Sequence, residues 1–200
     1  MTHFNARLAC LAFLALFCAA PLAADLRVPI AESGDLVVAV PDGWTAQVER
    51  TGPDAPPTIN LRPASGGAFH MLVTPIWAGN AGSKNLSREA LHDAVRGAAD
   101  RAKGQAVEPE LPVVDFATPS SYGAYFSATD RAPEPDGFKN MMQGMVALAR
   151  LRITFTVLVN GQPAPVVAQA LQLLKSMRWQ PNGAAAPSMQ KKACYGDCAP

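Results

Sequence analysis

LRITFTVLVNGQPAPVVAQALQLLKSM (151–177) changes its period once, and that change decides the fold. Leu151, Ile153, Phe155, Val157 and Val159 alternate with Arg152, Thr154 and Thr156. Successive side chains of a strand point to opposite faces, so this pattern predicts a strand with one apolar face. NGQP (160–163) reads as a turn. Beyond it, Val166, Val167, Ala170, Leu171, Leu174 and Met177 share one face of a helix over 164–177. A strand and a helix, each with one face to bury, point to helices laid on a sheet.

Working outward, NMMQGMVALA (140–149) reads as a strand joined to 151–160 by Ala149–Arg150, a turn without glycine. YGAYFSATD (122–130) is a strand rich in aromatics and Thr, and RAPEPDGFK (131–139) is a loop with two prolines. VEPELPVVDF (107–116) is extended, and its prolines suit a sheet edge. In SREALHDAVRGAADRAKG (87–104) the period is again 3.6, with Leu91, Ala94, Val95, Ala98 and Ala102 on one stripe. Ser87 suits the N-cap, Leu86 and Leu91 form a hydrophobic staple, and Gly104 closes the helix after Arg101 and Lys103.

Further upstream, TINLR (58–62) and AFHMLVTPIW (68–77) flank ASGG as a hairpin. Both faces of 68–77 are apolar, so that strand is central. LVVAV (36–40) and TAQVER (45–50) flank the turn PDGW (41–44), with Gly43 where a positive φ is needed. TGPDAPP (51–57) is a loop. The expected fold is α+β: an antiparallel sheet covered by two amphipathic helices, an α/β/α-type sandwich.

The chain opens MTHFNARLACLAFLALFCAAPLAA, with Arg7 followed by an apolar run from Leu8 to Ala20. That is the pattern of a signal peptide, too short to span a bilayer, with cleavage expected between Ala24 and Asp25. Removing residues 1–24 takes Cys10, Cys18 and Arg7, which leaves sixteen basic and sixteen acidic residues. A net charge of zero offers no basic stripe to nucleic acid and no charged face to a membrane surface. The expected organisation is one domain over 25–180 and a disordered tail over 181–200, which is rich in Pro, Gly and Ala. The expected location is periplasmic or secreted.

The tail ends KKACYGDCAP. Three residues separate Cys194 from Cys198, against two in a thioredoxin-type motif, and two thiols fall short of a zinc site. In an oxidising compartment they are read as a small local disulfide, with intermolecular pairing as the alternative.

Catalytic signatures are sparse. His70 and His92 are the histidines beyond the leader, and neither has a ligand or catalytic partner at short spacing. There is no G-x-S-x-G, G-x-G-x-x-G or P-loop, and Asp130, Glu134 and Asp136 are too few for a calcium loop. Met141, Met142 and Met145 with His70–Met71 are weighed as a soft copper(I) site against plain packing. No cofactor is expected. The loop 130–139 is the candidate partner surface, through Asp130, Arg131, Glu134, Asp136, Phe138 and Lys139.

The order of elements resembles the Mog1/PsbP-like family. The resemblance rests on Val-Pro-Asp-Gly-Trp at 40–44, the helix 87–104, the meander GAYFSATD, MMQGMVAL and ITFTVLVN, and the closing VVAQALQLLKSMRW. It covers about 36–179. It implies a run after the last helix that returns to the sheet, and no shared active site. Its members act as accessory subunits, small-GTPase partners, chaperones for secreted effectors or exported envelope proteins. The expected function is therefore a non-catalytic accessory or binding protein of the bacterial envelope that takes a protein partner or small ligand. An immunity or inhibitor protein against a secreted effector is the alternative, ahead of a hydrolase or a thiol- or copper-handling protein.

Overall fold

The computed structural model describes residues 24–30, 34–52, 55–67, 69–77 and 86–182. Cys194 and Cys198 lie outside them, as do the apolar leader and nearly all of the tail. Within these residues, ten strands and two helices follow in order. They are β1 (Ala24–Ile30), β2 (Gly34–Val40), β3 (Trp44–Glu49), β4 (Thr58–Pro63), β5 (Phe69–Trp77), α1 (Arg88–Ala102), β6 (Val114–Ala117), β7 (Ser121–Thr129), β8 (Asn140–Leu148), β9 (Leu151–Val159), α2 (Pro163–Ser176) and β10 (Arg178–Pro181).

Seven strands form one antiparallel sheet in the order β3-β4-β5-β9-β8-β7-β6. The fold is α+β, as expected. β5 is central, between β4 and β9. The alternation in β9 sorts the core. Leu151, Ile153, Phe155, Val157 and Val159 are buried on one face with Ile59, Leu61, Met71, Val73, Met142 and Val146. α2 covers that face through Ala170, Leu173 and Leu174. On the other face, α1 covers β7 and β8. Leu91, Val95 and Ala99 pack there with Ala124, Phe126, Ala128 and Ala147. Ala94, expected on the buried stripe, is exposed, because the helix turns Ala99 inward instead.

Two findings correct the sequence reading. The closing run β10 does not join the main sheet. It pairs with β2, and β1 pairs with the other side of β2, to make a separate three-stranded sheet. Val28, Ile30, Leu36 and Val38 of that sheet share the core under α2. β1 begins at Ala24, and its Asp25 accepts from the Arg178 guanidinium at 2.8 Å, joining the first strand to the last.

The second correction concerns 107–116. Only Val114–Ala117 form a strand. Pro109 and Pro112 have no N–H to give a ladder. Glu108 replaces a backbone acceptor there. Its carboxylate accepts from the Thr129 N–H at 2.9 Å and the Thr129 hydroxyl at 2.7 Å. Thr129 O accepts from Val107 N–H at 2.8 Å, so the segment is pinned and then leaves the sheet.

Turn chemistry holds the rest. Gly43 has φ +77° in the PDGW turn, as its position demands. The β8–β9 turn keeps a two-residue loop with Leu148 opposite Leu151, and Ala149 takes φ +52° where glycine is usual.

Candidate functional site

The 130–139 loop is tied down at its base. Asp130 N–H donates to Lys139 O at 2.8 Å, and Lys139 N–H donates to Asn160 Oδ1 at 2.9 Å. Arg131 is held twice: its N–H donates to Gln105 O at 2.9 Å and its guanidinium to Ala106 O at 2.7 Å. Asp130 Oδ1 accepts from Ala132 N–H, an Asx turn, and Glu134 O accepts from Gly137 N–H. The loop is thus shaped before any partner arrives. Glu134 and Asp136 stand exposed at its crown. Phe138 is half-buried and lines a cavity of about 140 Å³ with Ala102, Ala106 and Met141. Asp130, Arg131, Glu134, Asp136, Phe138 and Lys139 therefore share one structured loop, at the C-terminal end of α1.

A second site lies at the opposite end of α1, and the sequence reading missed it. A groove of about 480 Å³ opens between the first turns of the helix and β6. Arg88, Glu89, His92 and Asp93 line it from α1, and Asp115, Ala117 and Tyr122 from the sheet. Helical spacing puts Arg88 and His92 one turn apart on the same side. Asp115 and Ala117 share the α1 face of β6 because strand side chains alternate.

His92 is the centre of this groove. Its Nδ1 lies 3.0 Å from Asp115 Oδ1 and 3.2 Å from Oδ2, and its Nε2 lies 2.8 Å from an Arg96 guanidinium nitrogen. A guanidinium only donates, so Nε2 accepts and the ring proton sits on Nδ1, donated to Asp115. The carboxylate lies twenty-three residues further along the chain, which is why no short spacing announced it. A histidine acting as general base presents a free nitrogen to a nucleophile. Here both nitrogens are taken, and no serine lines the groove among the described residues.

The flanking charges are ordered too. The Arg88 guanidinium lies 5.4 Å from the centroid of the Tyr122 ring, a cation–π contact. The Glu89 carboxylate is held below its usual range, first by its own backbone N–H and then by the Ser87 hydroxyl. The positive end of α1 is therefore already served from within the helix. Further along α1, Lys103 lies 2.6 Å from Glu110, which raises its affinity for the proton.

The other residues weighed from the sequence do not converge. His70 sits on β5, on the sheet face opposite the α2 core, and bonds Asn60 Oδ1 at 3.0 Å. Burial holds its pKa below the ordinary range, and the positive charge of Arg62 adds to this against a smaller pull from Glu49. Met71 and Met142 are buried in the α2-side core, whereas Met141 and Met145 pack on the α1 side. The sheet itself thus divides the methionine set.

No family model matches the chain, and no curated protein matches it. The chain is similar to the solution structure of cyanobacterial PsbP (CyanoP) from Synechocystis sp. PCC 6803, with 9% sequence identity and a TM-score of 0.48, over 81% of this chain and 96% of that chain.

Proposed function

We propose that the chain is an exported, non-catalytic accessory protein of the bacterial envelope, of Mog1/PsbP-like type, that recognises a protein partner. One observation carries the reading: the best-placed imidazole, His92, has both nitrogens engaged by Asp115 and Arg96 while the groove beside it stays open. Such a site holds a shape and offers contacts, and its imidazole presents no free nitrogen to a nucleophile. The tied-down 130–139 loop supports the same reading from the other end of α1. Export rests on the leader, with Asp25 as the first mature residue.

The test is a native intact mass of the chain recovered from the exported fraction of its own cells. A mass starting at Asp25, with a protein bound, is the expected result. An uncleaved chain, or one carrying a metal or small molecule in place of a protein, overturns the reading. The pre-shaped loop also favours a second reading, an immunity or inhibitor protein. That reading requires a tight one-to-one complex in the same spectrum.

A further inference from the structure

The outer edge of β6 carries backbone groups that no described strand takes up. Among the described residues, β6 is the last strand of its sheet and pairs only with β7. Thr118 N–H donates to Ser121 O at 2.8 Å, which sets the phase of the β6–β7 ladder. In an antiparallel pair, inward- and outward-bonding residues alternate. Val114 and Phe116 therefore turn their N–H and C=O toward β7, and Asp115 and Ala117 turn theirs away. Those same two residues line the groove beneath α1. An open edge and a side-chain pocket meet at one place, which is what strand addition needs. Backbone bonds supply affinity there, and pockets for alternate side chains supply specificity.

The groove also names the side chain it would take. Arg88 is engaged by Tyr122, and Glu89 is folded back on its own helix start. Asp93 and Asp115 remain. Among the described residues Asp115 bonds the His92 imidazole alone, and Asp93 makes no ion pair. Leu91 and Ala117 add apolar surface beside these two carboxylates. An alkyl stem ending in a cation matches both features.

We propose that an extended segment of a partner protein adds as a strand to the free edge of β6 and lays a lysine or arginine side chain in the α1–β6 groove beside Asp93 and Asp115. This rests on the binding reading above and adds the chemistry of the partner.

The test titrates the ¹⁵N-labelled mature chain with a blocked heptapeptide of alternating threonine and valine around a central lysine. A second peptide carries glutamate at the centre. Shifts and slowed exchange at the Asp115 and Ala117 amides are expected, with the lysine peptide binding about tenfold tighter or more. Ala117→Pro removes an outward N–H while leaving the β7 ladder alone, and should weaken binding by about tenfold. If that variant does not fold, methylating alternate amides of the lysine peptide makes the same test on wild-type protein.

Equal binding of the two peptides overturns the proposal, as do shifts confined to 130–139 or no shift at all. The broader binding reading survives those results if the native mass still shows a protein bound. Binding that appears only after removal of 183–200 gives the edge to the chain's own Lys191–Lys192 segment and also overturns the proposal.

Discussion

His92 Nδ1 lies 3.0 Å from Asp115 Oδ1, and this contact joins α1 to the outermost strand of the sheet. β6 has four residues and one ladder, so side-chain ties matter more there than in the centre. Asp115→Ala leaves the imidazole N–H without its acceptor. The aspartate is 68% exposed, so solvent screens the pair, and a loss of only about 0.5–1 kcal/mol is expected. Asp115→Asn keeps an acceptor and should cost less. Amide exchange across 114–117 measures both, and no rise in exchange in the alanine variant would count against the clamp.

Gly144→Ala should be far more damaging. A Cβ at Gly144 would collide with Ala124 O and sit 2.7 Å from the Phe155 ring, inside the sheet. Neither the backbone carbonyl nor the buried ring can retreat, so a cost of about 2–4 kcal/mol is expected. At Gly123 the added Cβ meets the Phe116 ring, on the edge strand, and the Met145 carbonyl at 2.8 Å. That ring is half-buried on the outermost strand, so it can yield further than the fully buried Phe155 ring. Denaturant midpoints should therefore rank Gly144→Ala well below Gly123→Ala.

Ala149→Gly should stabilise. Ala149 holds φ +52°, which costs a residue with a Cβ about 1–2 kcal/mol. Glycine relieves that cost but loses more chain entropy on folding, so a net gain of about 0.5–1 kcal/mol is expected. A lower urea midpoint would contradict this account of the turn.

Stability should fall in two steps on acidification. The folded pKa of His70 is depressed from 6.5, first by burial and then by Arg62. The neutral ring is the form that fits, so its contribution is complete above pH 6.5 and is lost as pH falls through the folded value. Glu108 is depressed from 4.5, first by the Thr129 N–H it accepts, against a smaller opposing effect of burial. Its contribution is complete above pH 4.5 and is lost lower still, through its own folded value. Urea midpoints against pH should lose the upper step in His70→Gln and the lower step in Glu108→Gln.

What the sequence made legible follows from range. The alternation of 151–159 and the 3.6 period of 87–104 are local, and the structure keeps both. The 130–139 loop was legible from its prolines and charges, although the bonds that shape it were not. β1 was missed because ADLRVPI has no clean alternation and its stability comes from β2 and β10. β10 was read as returning to the main sheet, and only the pairing with β2 places it in another. The groove was illegible for the same reason. His92 reads as a surface histidine until β6 brings Asp115 against it from another element. Helical spacing sets Arg88 and Arg96 one turn to either side of His92, and only the structure shows that Arg96 is the one that closes the second nitrogen.

The most direct measurement is the ¹⁵N spectrum of the His92 imidazole in the mature chain at neutral pH. The geometry puts the ring proton on Nδ1, donated to Asp115, with Nε2 accepting from Arg96. That signature, lost to a mobile tautomer mixture in Arg96→Ala, is the expected result. A proton on Nε2 in the wild-type protein, with Nδ1 as the acceptor, would contradict the clamp and leave the groove with a base able to do chemistry.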